Sequence, residues 1–104
     1  MSLTVKTPGQ LQAEAQARAK ASITRAIDAH VEAQAKALEY NSAAHLASYA
    51  ASNVPEWAAE AQAFVAWRDS VWQAAIAMLA DAEASGEVPE IADVIAALPD
   101  WPED

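Results

Sequence analysis

Apolar residues recur along the first third of the chain at the spacing of an amphipathic helix. Ile23, Ile27, Val31 and Leu38 fall on one stripe, and the opposite face of the segment is charged. This pattern predicts a first helix from about Leu11 to Leu38. The stripe is narrow and rich in alanine, so a second helix can approach it closely.

Polar residues with capping ability follow this helix. Asn41 or Ser42 can accept hydrogen bonds from free backbone N–H groups, which predicts a short helix from about Ala43 to Ala51. Asn53 stands three residues before Glu56, which is the spacing of a capping box, and this arrangement predicts the start of another helix.

The third helix is long, from about Glu56 to Ala84, and Gly86 supplies a residue that tolerates the left-handed conformation beyond a helix end. A last short helix is expected from about Glu90 to Leu98, where Pro99 and Pro102 stop it.

Alanine dominates the composition and only two glycines are present, which favours helix throughout. We therefore expect an all-α fold, an antiparallel hairpin of two long helices with two short helices, completed as a bundle by oligomerisation. Residues 1–10 are expected to form a flexible N-terminus, with residues 1–3 as a candidate cloning scar. Residues 11–102 are expected to form a single helical domain, and residues 103–104 a tail.

Charge is unevenly distributed along the chain, although its formal total is −9. Five basic and four acidic residues occur through Pro55, whereas Arg68 is the only base against eleven acids from Glu56 onward. A chain of this kind lacks the basic face that nucleic-acid binding requires. No apolar run approaches the roughly 20 residues of a membrane span. We expect neither a nucleic-acid partner nor a membrane partner.

The long helix carries apolar residues over roughly half of its circumference, whereas packing against one neighbour needs only about 100°. The excess indicates two contacts, one within the chain and one with a second copy or another protein. The alternative is a helix covered by several elements of its own chain. The candidate interface residues are Trp57, Phe64, Trp67, Arg68, Val71, Trp72 and Ile76.

Arg68 lies near the middle of this apolar arc, where a guanidinium must pair or extend its head to solvent. Glu60, two turns earlier, is the candidate partner in a structural ion pair. A solvent-directed side chain and an anchor for a partner protein are the alternatives.

Residues that could carry catalysis or bind a cofactor or metal form no recognisable constellation. Cysteine is absent, and His30 and His45 have no second ligand at metal-site spacing. His45 lies near Ser42 and Ser48, but no nucleophile elbow accompanies them. We expect no enzyme, no catalytic residue, no cofactor and no metal site.

Several strings in the chain are similar to those of a known group of proteins. They are Tyr40-Asn41-Ser42-Ala43, Ser48-Tyr49-Ala50, the run from Trp57 to Trp72, and Leu98-Pro99-Asp100-Trp101-Pro102. Over about residues 23–102 the chain resembles small, mostly uncharacterised proteins encoded in the tail regions of tailed bacteriophages and prophages.

The resemblance implies a tail-fibre assembly factor or a minor tail component that binds another protein, such as a phage tail or tail-fibre protein. The expected location is the host cytoplasm, with the virion as the alternative, and a homo-oligomer is expected. A different hypothesis follows from the acidic second half: a mimic of nucleic acid that inhibits a host protein.

Overall fold

A computed structural model describes residues 5–102 of the chain, and within this range every regular element is helical. Two long helices are joined by two shorter helical segments, and a third short helix follows. The elements are α1 (Pro8–Ala37), α2 (Ala43–Ala47), a 3-10 helix (Ser48–Ala51), α3 (Pro55–Ser85) and α4 (Ile91–Ala97). The predicted all-α hairpin of two long helices is confirmed.

The two long helices run antiparallel. Lys20 in the first half of α1 meets Glu83 near the end of α3, with 2.6 Å between Nζ and Oε1. Further along α1, the His30 ring lies 5.8 Å from that of Trp67, near the middle of α3. Later residues of α1 therefore face earlier residues of α3. The hairpin therefore has a closed end, where α2 joins the long helices, and an open end, where α1 begins and α3 ends.

The buried core occupies the middle and the closed end of the hairpin. In α1 it starts at Ile23, and in α3 it ends at Ala75. Neither the first 15 residues of α1 nor the last ten of α3 include a buried side chain. The core consists of Ile23, Ile27, Val31, Ala35, Leu46, Ala61, Phe64, Trp67, Val71, Ala75, Val94 and Leu98.

Helix α1 begins at Pro8, three residues before the predicted start, so residues 8–10 are its first turn rather than part of a flexible segment. Thr7 and Gln10 form a capping box. The Gln10 N–H donates to Thr7 Oγ1 at 3.1 Å, and the Thr7 N–H donates to Gln10 Oε1 at 2.8 Å. The candidate cloning scar at residues 1–3 and the tail at residues 103–104 lie outside the described residues.

The start of α2 follows one of the two predicted caps. Ser42 Oγ accepts a hydrogen bond of 3.0 Å from the His45 N–H. The Glu32 carboxylate of α1 adds a second contact, since both of its oxygens accept from the Ala43 N–H at 3.2 Å. The predicted helix of residues 43–51 is divided, because its last turn tightens into the 3-10 helix Ser48–Ala51.

The predicted capping box of Asn53 and Glu56 is wrong. The N-cap of α3 is Val54, which has no side-chain cap, and Pro55 occupies the first helical position. Asn53 therefore lies one residue too early for its side chain to cap the first turn. The other end of α3 is as predicted from Gly86, which adopts the left-handed conformation at φ 75° and donates its N–H to the Ala82 carbonyl.

The fold is elongated, with principal extents of 61 × 33 × 19 Å. Its radius of gyration is 18.0 Å, whereas a compact domain of about 100 residues has a value of about 13 Å. The smallest extent is close to the diameter of two packed helices. None of the helices in residues 5–102 is long and apolar enough to cross a membrane.

Candidate functional site

The apolar arc of α3 is divided between the chain's own core and its surface. Phe64 and Val71 are fully buried, and Trp67 is 5% exposed. The prediction that these three residues belong to an interface is wrong, because they lie in the buried core of the chain itself. For this part of the arc the alternative is correct: the helix is covered by several elements of its own chain.

Trp67 is held on three sides. Its ring lies 5.8 Å from the His30 ring of α1 and 5.7 Å from the Trp101 ring, which it meets edge to face. Its indole N–H donates a hydrogen bond of 2.9 Å to the Pro99 carbonyl. The buried indole thus packs against other rings and has its one polar atom hydrogen-bonded, as is usual for a buried tryptophan.

A second edge of the α3 arc is only partly covered by the described part of the chain. Ile76 is 63% exposed, and Trp72, one turn earlier, is only partly buried. Leu79 continues this edge by a further turn and is also partly buried. We call Trp72, Ile76 and Leu79 the α3 side strip. It lies about 60–120° around the helix from Phe64, at 100° per residue.

The predicted ion pair between Glu60 and Arg68 is wrong. Arg68 Nη2 lies 3.1 Å from Oδ1 of Asp69, its neighbour in sequence. Glu60 and Arg68 are eight residues apart, which separates their backbones by about 12 Å along the helix axis. The Arg68 side chain is 35% exposed, so part of it is in contact with solvent. Its ion pair with the exposed Asp69 therefore contributes little stability.

A groove of about 380 Å³ lies at the open end, between the first half of α1 and the end of α3. The ion pair between Lys20 and Glu83 crosses it, and both partners are more than half exposed. Leu79 belongs both to this groove and to the α3 side strip, so the two surfaces are continuous. The lining residues are Ala13, Gln16, Ala17, Lys20, Leu79, Ala82, Glu83, Val88 and Pro89.

Trp57 lies far from the side strip, at the closed end, and is 50% exposed. Its ring meets that of Tyr49 at 5.6 Å and 70°, and Tyr49 in turn lies 5.9 Å from Tyr40. His45 stacks on Tyr49, with 3.1 Å between His45 Nε2 and the Tyr49 hydroxyl. Sequence periodicity does not reveal this aromatic cluster, because its members come from three helical elements and the turn after α1.

Glu60 of α3, the predicted partner of Arg68, changes the pKa of Tyr40. A hydrogen bond to the Glu60 carboxylate raises the pKa of the Tyr40 hydroxyl above its ordinary value of 10.0. Desolvation and repulsion between the carboxylate and a phenolate add to this effect. The Glu60 carboxylate of α3 therefore favours the neutral form of the Tyr40 phenol.

Of the two histidines of the chain, His30 lies beside the Trp67 ring, and His45 lies beside the Tyr40 and Tyr49 rings. Within residues 5–102, no three His, Asp or Glu side chains come together as a group that could hold a metal ion.

Comparisons of the chain with protein-family models, with curated proteins and with solved structures found no match. The resemblance to phage tail-region proteins therefore stays a prediction.

Proposed function

We propose that this chain is a helical protein–protein interaction module, without catalytic activity, that self-associates through the α3 side strip and the open-end groove. Two hairpins packed in this way form a four-helix bundle. The observation that carries the proposal is the apolar surface left uncovered over the outer half of both long helices.

The exposed area supports this proposal. The chain exposes 7123 Å², whereas a monomeric protein of its mass exposes about 5,600 Å². The excess is roughly 1,500 Å², and a standard interface buries about 800 Å² on each partner. The excess is therefore larger than the area that one copy buries in a standard interface.

The side chains of α1 and of the acidic end of α3 favour a second copy of the chain as the partner that covers this surface. Ala13 and Ala17 lack bulky side chains, so a helix can approach α1 closely at the groove. The basic residues before Pro55 all lie on α1 or beside it, whereas exposed acids surround the end of α3 and α4. A two-fold arrangement that places α1 of one copy against the end of α3 of the other brings opposite charges together.

Sedimentation equilibrium across a concentration series tests this proposal. We expect a dimer or a larger oligomer, and Ile76→Asp should shift the chain toward monomer because it places a charge on the side strip. Ala77→Asp is the matched control, since Ala77 is exposed on another face of the same turn. A wild-type chain that stays monomeric at every concentration would overturn self-association, and an equal effect of both variants would overturn the side strip as the surface of contact.

The finer part of the proposal is that this module acts in phage tail or tail-fibre assembly, in the host cytoplasm or on the virion. It is supported by the strings from Tyr40 to Trp72 and from Leu98 to Pro102. The genes on either side test it. We expect a tail-fibre gene immediately upstream, and a housekeeping context would contradict the assembly role.

A second candidate, an acidic mimic of nucleic acid, is favoured by one observation. Five exposed acids, Asp81, Glu83, Glu87, Glu90 and Asp93, cluster around the end of α3 and the start of α4. A mimic should bind a basic host protein with an affinity that falls steeply as salt is raised. Replacement of Asp81, Glu87 and Asp93 by neutral isosteres should abolish such binding, and an unchanged affinity would exclude this candidate.

A further inference from the structure

A second concave surface lies at the closed end, remote from the proposed self-association surface. It is a pocket of about 260 Å³ lined by Glu39, Tyr40, Asn41, His45, Tyr49 and Trp57. Tyr40 and Tyr49 meet at 53°, and Tyr49 and Trp57 at 70°. Because these two pairs of rings are steeply inclined, Tyr40, Tyr49 and Trp57 form adjoining walls, whereas His45 stacks on Tyr49 at 30°.

The backbone at the rim of this pocket is unusual. Glu39 has φ 73°, and it is the only non-glycine residue with a positive φ in the described part of the chain. It ends α1 in a Schellman motif, since the Glu39 N–H donates to the Lys36 carbonyl and the Tyr40 N–H donates to the Ala35 carbonyl. Glycine is the usual residue there, and a side chain in this conformation costs about 1–2 kcal/mol.

Strained residues of this kind concentrate at binding sites, where the side chain has a use that offsets the strain. At position 39 the side chain places a carboxylate at the edge of the aromatic walls. Glu60 adds a second negative charge beside Tyr40. The described lining contains no lysine or arginine that could satisfy these groups from within.

We propose that this pocket binds an organic ammonium cation. The faces of tyrosine and tryptophan rings attract cations, and several rings around one alkylated ammonium form an aromatic cage. Glu39 supplies the opposite charge at the rim, and Trp57, which is half exposed, leaves the cage open to solvent. The cation is either a free small molecule or an alkylated lysine side chain, since both present the same group.

A titration with choline, followed in 1H–15N spectra of the labelled chain, tests this proposal. Each of the four tryptophans gives one indole N–H signal, and the Trp57 signal is identified by its loss in Trp57→Leu. We expect the Trp57 signal and the Tyr49 amide to shift saturably with choline. The matched probe is 3,3-dimethylbutan-1-ol, which has the shape of choline without its charge and should bind at least roughly fivefold more weakly.

Two variants locate the site. Trp57→Leu removes one wall and Glu39→Gln removes the rim charge at unchanged size, and each should weaken choline binding roughly fivefold or more. Asp28→Asn is the control, because Asp28 is an exposed acid on α1 outside the pocket. Circular dichroism checks that each variant remains folded.

The outcomes separate the explanations. Equal binding of choline and its neutral analogue would overturn the proposal, because the pocket would then be merely apolar. Absence of saturable shifts, or equal losses in Glu39→Gln and Asp28→Asn, would overturn it as well. If choline binds, a comparison with Nα-acetyl-trimethyllysine amide identifies the source: tighter binding of the lysine derivative indicates a peptide, and tighter binding of choline indicates a small molecule.

Discussion

The indole N–H of Trp67 donates a hydrogen bond of 2.9 Å to the carbonyl of Pro99, and this contact ties the middle of α3 to the segment that follows α4. The two residues are 32 positions apart. The bond closes the chain over the core at the point where Trp101 also packs against Phe64. Trp67 is therefore a structural residue rather than an interface anchor.

Trp67→Phe should destabilise the fold by about 1–3 kcal/mol, because it removes the hydrogen bond and leaves a small cavity. Trp72→Phe should have a smaller effect, since Trp72 is only partly buried. Urea unfolding followed by circular dichroism measures both. Equal losses in the two variants would contradict the structural role of Trp67.

Two left-handed positions should respond to substitution in opposite directions. Glu39→Gly should stabilise the fold by about 1 kcal/mol, because glycine adopts a positive φ without steric cost. Gly86→Ala should destabilise it by a similar amount, about 1 kcal/mol. A Cβ at Gly86 would meet no atom within 4 Å, so only the backbone conformation is at issue. Thermal melts that change in the same direction for both variants would contradict this account.

The caps of α2 and α3 make different predictions for two similar residues. Ser42→Ala should destabilise the fold by about 1 kcal/mol, because it removes the bond from the His45 N–H. Asn53→Ala should have almost no effect, since the N-cap of α3 is Val54. Chemical denaturation distinguishes the two. A substantial loss of stability in Asn53→Ala would support the capping box that the sequence suggests.

Stability should fall at alkaline pH through Tyr40. The folded state holds the Tyr40 proton more tightly than the unfolded chain does, because Glu60 raises the pKa of this hydroxyl. This contribution is complete below the ordinary pKa of 10.0 and is lost as pH rises through the higher folded value. The urea midpoint of the wild type should therefore decline more steeply above pH 10 than that of Tyr40→Phe. Glu60→Gln should flatten the decline too, and three parallel curves would refute the link.

The sequence predicts the helices because the signals that set them are local. Ile23, Ile27 and Val31 form a stripe that the structure buries, and Ser42 and Gly86 cap their helices as expected. The start of α1 at Pro8 could also have been predicted from the sequence. Thr7 followed by Gln10 has capping-box spacing, and the first helical residue between them is a proline.

The division of the α3 arc could not be predicted, because it depends on contacts between distant parts of the chain. Phe64 and Ile76 are equally apolar, yet one is fully buried and the other is 63% exposed. Trp101, which covers the first, lies far along the sequence. The aromatic pocket was missed for the same reason. The positive φ of Glu39 could not be predicted either, since a glutamate gives no indication of a left-handed conformation.

The first 15 residues of α1 have no buried side chain, although all of them are helical. An isolated helix of this length is marginal in water even when it is rich in alanine. Its backbone amides should exchange with deuterium faster than those around Ile27, because local opening exposes no core. If a second copy covers this arm, protection should rise with protein concentration, by mass action. The deuterium protection of this half of α1 would then report the fraction of chains that are associated.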